Sequence, residues 1–299
     1  MKFLKVQENK SRIEKFTKKK IQSLEINQIL SNYYGSFEKN KQKADKIFNC
    51  SSYLLFRNYH DSDNSKKLVA ANFCMHPLCL MCSWRLHLEK VCVLRKALDM
   101  LQVDEPDVKL YFLNLTVKNW DFISKSRLRD LQTRAVRFIR KTLGIESYYC
   151  STEITISRKY GNYHPHLHCI IATSEMLGTM LQEIDVLRKI WAKVYGEKEY
   201  DFLELTLYPI RENSVNEVTK YILKPERKIT RDKIISVAIA ITGLKKTFAA
   251  GKLRRYIRIA REDIKRQEGA LKDKLEHIDF TDEFYKWVGN KYLLSSLDE

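Results

Sequence analysis

Residues 163–171 carry the pattern that most restricts how this chain can fold. The run reads Tyr-His-Pro-His-Leu-His-Cys-Ile-Ile, and three of the seven histidines in the chain fall within it at every second position. Alternate side chains of an extended strand point to opposite faces, so His164, His166 and His168 share one face and apolar residues the other. Neutral imidazoles at this spacing can bind one divalent ion. The run therefore predicts a strand that is anchored in a core and carries a metal site.

The preceding segment predicts a partner for this strand. Residues 148–157 alternate like a strand, and residues 159–162 are typical of a turn, which together favour an antiparallel hairpin. Glu153 lies on the expected partner strand, where its carboxylate could be a third ligand and leave positions open for substrate and water. Two imidazoles and a carboxylate favour Mg²⁺ or Mn²⁺ over structural zinc. A cross-strand contact of Glu153 with a lysine or arginine is the other interpretation.

Hydrophobic periodicity along the rest of the chain predicts the fold class. The order is strand, helix, strand, strand, helix, strand, helix, which indicates an α+β domain with a central antiparallel sheet flanked by helices. The segments outside the hairpin that carry this pattern are strands at 111–117 and 202–209 and helices at 84–102, 126–143, 175–195 and 213–224.

The cysteines are grouped in a way that indicates a second metal site. Cys74, Cys79 and Cys82 lie within nine residues, and Cys50 lies upstream. Because cytosolic thiols stay reduced, we expect no disulfide framework, and four thiolates would complete a tetrahedral structural Zn²⁺ site. His76 could replace Cys50 as the fourth ligand, and buried free thiols are the alternative to zinc. The remaining cysteines, Cys92, Cys150 and Cys169, are predicted to lie in the core.

The net charge indicates a polyanionic partner. Lys and Arg number 54 against 37 Asp and Glu, a formal charge of +17, which attracts nucleic acid by releasing its counterions. A lysine-rich solvated surface is the other interpretation. The sequence has no apolar run of the ~18–20 residues that a membrane span needs, so we expect no membrane association and a cytoplasmic protein.

These patterns predict four regions in the chain. We expect a mobile basic arm at 1–45, a cysteine-rich module with its helix at 46–103, a catalytic domain at 104–228 and a helical, basic C-terminal region at 229–299. The basic helix at 245–268 carries Arg254, Arg255 and Arg258, which are predicted to contact duplex DNA together with the cysteine module. A solvated helix face is the alternative for these arginines.

A second group of reactive side chains follows in the predicted helix at 213–224. Glu217, Tyr221 and Lys224 are four and seven residues apart, so they would share one helix face, with Lys220 beside them. A phenol with a pKa near ~10 is a poor nucleophile at neutral pH unless a cation or base is close. The lysines could supply the cation and Glu217 the base. An ordinary amphipathic surface helix is the alternative.

Three motifs, taken in order and spacing, resemble those of a known enzyme family. They are Phe112-Leu-Asn-Leu-Thr-Val-Lys-Asn119, His164-Pro-His-Leu-His168 and Val218-Thr-Lys-Tyr-Ile-Leu-Lys224. They resemble the motifs of the HUH endonucleases that initiate rolling-circle replication of plasmids in Gram-positive bacteria. The cysteine segment at 73–85 is similar to one that precedes the nuclease domain in the single-tyrosine branch of that family.

The resemblance implies a ferredoxin-like or RRM-like nuclease domain and a role for each motif. His166 and His168 would ligate the ion, His164 would be a further candidate ligand, and Tyr221 would attack an origin phosphate to form a 5′-phosphotyrosine. Asn119 would contact DNA. With a single tyrosine, Glu217 would activate water or a hydroxyl to end replication. The implied partners are plasmid origin DNA and a host helicase, and a homodimer is left open.

Two other functions fit part of the pattern. The histidine run also resembles that of the histidine-triad nucleotide hydrolases, in which the middle histidine is the nucleophile. A non-enzymatic DNA-binding regulator would use only the cysteine module and the basic tail. Detection of phosphotyrosine at Tyr221, phosphohistidine at His166, or binding without cleavage would separate the three.

Overall fold

The computed structural model describes residues 2–60, 65–157, 161–174, 183–197, 203–220, 222–223 and 229–295. The described helices, numbered in chain order, are α1 Lys2–Gly35, α2 Lys41–Phe48, α3 Leu80–Asp104, α4 Lys125–Arg137, α5 Ile184–Tyr195, α6 Ser214–Val218, α7 Arg231–Ala240 and α8 Gly251–Leu275. The described strands are β1 Tyr53–Tyr59, β2 Lys66–Ala71, β3 Lys109–Thr116, β4 Ser147–Ile156, β5 Tyr163–Thr173, β6 Leu205–Pro209, β7 Thr247–Ala250, β8 Phe280–Val288 and β9 Lys291–Ser295. None of the helices in these ranges is long and apolar enough to cross a membrane.

The chain divides into two compact units. One combines Met1–Leu86 with Lys265–Glu299, and we call it the terminal unit; the other is His87–Ile264, the central unit. This division does not follow the boundaries predicted after residues 45, 103 and 228. Those boundaries stay a prediction about functional regions.

The central unit contains a five-stranded antiparallel sheet in the order β6-β3-β5-β4-β7. From β3 onward its strands and α-helices run β3, α4, β4, β5, α5, β6, which is the β-α-β-β-α-β arrangement of ferredoxin-like folds. The predicted α+β class with a central antiparallel sheet flanked by helices is confirmed. The predicted hairpin is β4 and β5, and strand β7 extends the sheet at one edge.

Both faces of this sheet are covered by apolar side chains. On one face, residues of α3, α6 and α8 pack against strand residues that include Phe112 and Ile170. Trp191 of α5 is fully buried, contacts Phe138 edge-on, and donates an indole hydrogen bond to the Thr116 carbonyl at 2.7 Å. Because the strands are held on both sides, the polar residues of β4 and β5 have fixed positions.

The terminal unit contains a second antiparallel sheet, in the order β2-β1-β8-β9. Leu54 and Phe56 of β1 are fully buried in a cluster with Phe16 of α1 and Tyr292 of β9. The same cluster includes the cysteine segment, so this sheet and α1 enclose the cysteines.

The N-terminal segment differs from the mobile arm that was predicted for residues 1–45. It forms the 34-residue helix α1, followed by α2. The buried residues of α1 recur at helical spacing and include Phe16, Ile26, Leu30 and Tyr34. This apolar stripe holds the helix in place. The basic composition of the segment made the stripe hard to recognise from the sequence.

The C-terminal region is only partly helical, which corrects the all-helical prediction for 229–299. Strands β8 and β9 form a hairpin around Gly289 and Asn290, a two-residue turn in which Gly289 has a φ of 60°. Glycine tolerates this left-handed conformation, and such turns match the twist of paired strands. Aromatic and β-branched residues such as Tyr285, Trp287 and Val288 favour a strand, and the pairing puts aromatic and charged side chains on both of its faces.

The core position predicted for Cys150 and Cys169 is confirmed, because both side chains are fully buried. The expectation that they stay reduced was wrong: they lie directly opposite each other on β4 and β5 and are paired as a cross-strand disulfide. Cys92 is exposed on α3, although its apolar neighbours in sequence had predicted a core position. The register of β4 and β5 brings Cys150 and Cys169 together. Cys92 lies on the face of α3 that is exposed to solvent.

Candidate active site

The hairpin of β4 and β5 brings a carboxylate and two imidazoles together. Glu153 pairs with His166 in the strand register, and His168 is the next residue on the same face of β5. Oε2 of Glu153 is 3.0 Å from Nε2 of His168 and 3.4 Å from Nε2 of His166. All three side chains are largely removed from solvent, with Glu153 5% exposed. The alternation in the sequence thus produces one compact group of donor atoms.

This group has the donor set of a divalent-metal site. One ligand atom from each of Glu153, His166 and His168 lies within 4.8 Å of the others. Nδ1 of His166 is 3.3 Å from the carbonyl of His164, a contact that places the proton on Nδ1 and leaves Nε2 free to bind a metal. Nδ1 of His168 is buried and has no hydrogen-bond partner among the described residues. These features fit an ion that accepts two imidazoles and a carboxylate.

The electrostatics of Glu153 favour its charged form. Burial by itself would raise the pKa of this carboxyl, but hydrogen bonds and charge from His166 and His168 outweigh burial and hold the pKa well below its usual range. Glu153 is therefore a carboxylate over the whole neutral pH range. The close partners of the Glu153 carboxylate are the imidazoles of His166 and His168. The alternative interpretation, a cross-strand contact with a lysine or arginine, was wrong.

His164 takes a different position from the other two histidines of the run. Its Nδ1 is 2.7 Å from Oδ1 of Asn119, in the segment after β3, and it does not belong to the three-residue group. Burial and the neighbouring His166 lower the pKa of His164. Asn119 is exposed, and its contact with His164 ties the first motif to the histidine strand.

Tyr221 and Lys224 lie outside the described residues, but the residues around Tyr221 are described. The backbone N–H of Ile154 donates to the carbonyl of Ile222 at 2.7 Å, and Leu223 forms a parallel bridge with the same Ile154. Ile154 directly follows Glu153 in β4. The residue after Tyr221 is therefore hydrogen-bonded to the strand that carries the candidate ligand.

The helix predicted for 213–224 is shorter than expected. Helix α6 ends at Val218, and the Thr219 hydroxyl donates to the Val215 carbonyl at 2.7 Å. Residues 222–223 pair with strand β4 instead of continuing the helix. The helix predicted through residue 224 is therefore wrong for the described residues after Val218, and the helical face predicted for Glu217, Tyr221 and Lys224 depends on two residues that lie outside the described ones. Glu217 and Lys220 do meet, as an ion pair.

The arginines predicted to contact duplex DNA lie on α8. Arg254, Arg255 and Arg258 are exposed, while Leu253 and Ile257 on the same helix are buried in the core. Arg258 reaches Glu262 only at 4.0 Å. Their guanidinium groups are accessible to a polyanion.

The four predicted cysteines form a second candidate metal site. Sγ of Cys50 is 3.5 Å from Sγ of both Cys79 and Cys82, and Cys74 is 3.7 Å from Cys82. A tetrahedral zinc ion with Zn–S bonds of ~2.3 Å would separate its sulfurs by about 3.8 Å. All four sulfurs also lie within 4.8 Å of one another. The group therefore fits zinc, and His76 is not needed as a ligand.

A buried lysine side chain and a backbone N–H contact this cysteine site, and sequence reasoning missed the lysine. Lys20 of α1 is buried, at 3% exposed, and its ammonium donates to the Cys50 carbonyl. Burial lowers the pKa of Lys20, and the surrounding thiols oppose that shift. Four thiolates with Zn²⁺ carry a net charge of −2, which a buried ammonium partly offsets. A lysine in the buried stripe of α1 was the sequence signal. Cys74 also accepts a hydrogen bond from the His76 backbone at 3.4 Å.

The chain is similar to known proteins over much of its length. A family model described as replication protein matches residues 65–292. A curated protein named "Protein rep" from Staphylococcus aureus is 26% identical over 215 residues, which are 69% of this chain and 89% of that protein. Proteins of the same name from a Bacillus species and from Lactiplantibacillus plantarum are 32% and 29% identical, each over 44% of this chain. The matched regions span 43% and 42% of those two relatives. No solved structure matches the chain.

Proposed function

The chain belongs to the family of replication proteins, and on that premise we propose that it initiates rolling-circle replication of a plasmid by nicking one DNA strand at the origin. It acts as a metal-dependent endonuclease and strand transferase on single-stranded DNA. The nucleophile is Tyr221, and the product is a 5′-phosphotyrosine with a free 3′-hydroxyl. The name of the relatives, "Protein rep", is consistent with this role.

One observation carries the proposal. Glu153, His166 and His168 form a buried group of candidate metal ligands on adjacent strands, and Ile222, the residue after Tyr221, is hydrogen-bonded to the residue after Glu153. A nucleophile and a charge-stabilising site that act on the same phosphate must be close together. The three motifs that resemble the nuclease family therefore converge on one hairpin.

The proposed step exchanges one phosphodiester bond for another. The Tyr221 oxygen bonds to the scissile phosphorus and loses its proton to a base, while the bond from phosphorus to the 3′-oxygen breaks and that oxygen takes up a proton. The exchange is nearly isoenergetic, so the strand can be rejoined without ATP. A bound Mg²⁺ or Mn²⁺ would supply charge stabilisation for the non-bridging phosphate oxygens.

The chain's own residues divide the remaining work. Glu153 keeps its negative charge at neutral pH and orients two imidazoles. Asn119 holds His164 and is exposed toward DNA. Lys220 and Lys224 favour the phenolate form of Tyr221 by their positive charge. Glu217 activates water or a hydroxyl in the terminating step.

Two regions outside this site supply DNA binding. The cysteine cluster would hold a structural Zn²⁺ that fixes the cysteine module, and Arg254, Arg255 and Arg258 would contact duplex DNA beside the nick. The sequence contains no P-loop motif. Unwinding is then left to a host helicase or to supercoiling, and a homodimer would place two such sites on one origin.

The test is a cleavage assay with the full chain. Single-stranded oligonucleotides tiled across the DNA that flanks its gene are incubated with Mn²⁺, and the products are separated on denaturing gels. We expect one oligonucleotide to be cut and its 3′ fragment to become linked to protein. Tyr221→Phe should abolish both products, whereas Tyr33→Phe, a tyrosine on α1, should cleave normally.

Mass spectrometry of the covalent product separates the proposal from the histidine-triad alternative. Phosphate on Tyr221 supports the nicking reaction. Phosphate on His166, or cleavage by Tyr221→Phe at the normal rate, contradicts it. Sequence-specific binding with no cleavage of any tiled oligonucleotide would favour the non-enzymatic regulator.

A further inference from the structure

The sheet of the terminal unit has one face that its own core does not use. Leu54 and Phe56 of β1 and Tyr285 of β8 point toward the core around the cysteines. Strand pairing then places the intervening residues on the opposite face. We call this opposite face the aromatic sheet face. Its members on β1, β2, β8 and β9 are Tyr53, Leu55, Arg57, Tyr59, Lys67, Ala70, Phe280, Asp282, Phe284, Lys286, Val288, Lys291, Leu293 and Ser295.

Four aromatic rings on this face form two pairs, and the two rings within each pair are neighbours. The ring centres of Tyr53 and Phe284 are 5.6 Å apart, and those of Tyr59 and Phe280 are 6.1 Å apart. Phe280 is 46% exposed, a large fraction for a phenylalanine in a paired strand. From Tyr53 to Tyr59 the strand extends over about 20 Å, at ~3.3 Å per residue. Tyr53, Tyr59 and Phe284 are partly buried, so the face offers one exposed ring and three partly accessible ones.

The charged residues of the face favour an anionic partner. Arg57, Lys67, Lys286 and Lys291 are its cations, against the single carboxylate of Asp282. Arg57 binds Asp282 through two hydrogen bonds of 2.8 Å, and its guanidinium lies 3.6 Å from the centre of the Phe280 ring. Four cations and one anion leave a surplus of three positive charges. Rings and cations alternate along the same strands.

We propose that the aromatic sheet face binds single-stranded DNA, with unpaired bases stacked on its rings and phosphates near its lysines. Bases stack on aromatic side chains of other sheets in this way, and the contact tolerates any sequence. Duplex DNA is excluded as the preferred ligand because its bases already stack on each other and show only their edges. The inference extends the proposed nicking function, whose displaced strand is single-stranded, but it can be measured without cleavage.

The test measures binding of a fluorescent 20-nucleotide oligothymidylate by anisotropy. The full chain carries Tyr221→Phe so that no strand is cut, and a 20-base-pair duplex of mixed sequence is the second ligand. Phe280→Leu with Phe284→Leu keeps apolar volume and removes two rings. We expect single-strand affinity to fall roughly 5- to 100-fold for each stacking position lost, and duplex affinity to change less than about twofold.

Matched variants control for folding and for charge. Phe48→Leu changes an exposed phenylalanine at the end of α2, outside the sheet, and should bind as the parent does. Phe280→Tyr with Phe284→Tyr keeps both rings and should retain binding. Lys67→Ala and Lys286→Ala should each lower the slope of log affinity against log salt by about 0.7. Thermal unfolding of every variant verifies that the sheet is intact.

The outcomes decide between ligands. Unchanged single-strand affinity in the folded leucine variant, or an equal loss of duplex affinity, overturns the inference. The inference is also overturned if the leucine variant changes its oligomeric state in sedimentation while its single-strand affinity is unaffected. The face would then bind a second copy of the chain. If oligothymidylate binding depends on the face but no tiled oligonucleotide is cleaved, only the nicking proposal fails.

Discussion

Glu153 and His166 face each other across β4 and β5, with Oε2 of the carboxylate 3.4 Å from Nε2 of the imidazole. Directly opposed residues of antiparallel strands have the closest side chains in a sheet, so this register alone fixes two of the three candidate ligands. His168 follows two residues later on the same face and brings its Nε2 to 3.0 Å. The geometry follows from the pairing of two neighbouring strands.

The first prediction concerns the charge of Glu153. Glu153→Gln keeps the size of the side chain but removes its negative charge and replaces one acceptor oxygen by an NH2 donor, so a divalent ion should bind far more weakly. We expect nicking to fall at least ~100-fold, and the increase in Tm that Mn²⁺ causes in the parent to disappear. Calorimetric titration with Mn²⁺ and thermal unfolding measure the two effects. Glu146→Gln, an exposed change just before β4, should alter neither.

The alternation of Tyr163–Thr173 made this site predictable from sequence. A period of two puts every second residue on one face, and a short turn fixes the partner strand, so Glu153 could be named without coordinates. The terminal sheet could not be assembled in the same way. Arg57 and Asp282 are 225 residues apart, and a local window carries no information about such a pairing. Only the turn at Gly289 and Asn290 was a readable signal for part of it.

The second prediction concerns zinc. The spacing of the four sulfurs fits a tetrahedral ion, so the purified chain should contain one zinc per molecule by elemental analysis. Cys79→Ser should lose the metal and lower Tm by more than about 10 °C, because binding energy of a structural zinc is folding energy. Cys92→Ser removes an exposed thiol and should keep both zinc and Tm. Full zinc content in the Cys79 variant would contradict the assignment of these ligands.

The third prediction concerns pH and Lys246, which precedes β7. Burial, and then the positive charge of Lys90, lower the pKa of Lys246 to about 8. The unfolded chain holds this proton up to about pH 10.4, so between these values the unfolded state binds more protons and stability rises with pH. The destabilising effect of the charged lysine is therefore fully present below pH 8 and absent above the unfolded pKa.

Lys246→Met should accordingly raise Tm at pH 7 and raise it less at pH 9.5. Thermal unfolding at both values measures the difference. Lys245→Met, an exposed neighbour, should give a Tm difference that does not depend on pH. If Lys246→Met raised Tm equally at both pH values, the positive charge of Lys246 would not destabilise the folded state.

The short helix α6 shows where local sequence rules stop. Glu217, Tyr221 and Lys224 have helical spacing, but the chain leaves the helix after Val218 and pairs residues 222–223 with β4. The hydrogen-bond donor on Ile154 needs an acceptor, and the Ile222 carbonyl supplies it at 2.7 Å. A tertiary partner thus overrides helix propensity at the position that matters for chemistry.

The last prediction separates the two proposed roles of the tyrosine segment. Glu217 lies at the C-terminal end of α6, paired with Lys220, and its carboxylate is the proposed base for the terminating step. Glu217→Ala should nick the origin at close to the parental rate, because Tyr221 still supplies the nucleophile. It should terminate ~10²- to 10⁴-fold more slowly, the usual contribution of a general base. A suicide oligonucleotide measures nicking, and release of protein from a preformed phosphotyrosine adduct measures termination. Glu212→Ala, an exposed carboxylate just before α6, is the matched control and should leave both rates unchanged. Equal losses of nicking and release in Glu217→Ala would contradict this division, and would indicate that the ion pair with Lys220 serves to hold the segment in place for both steps.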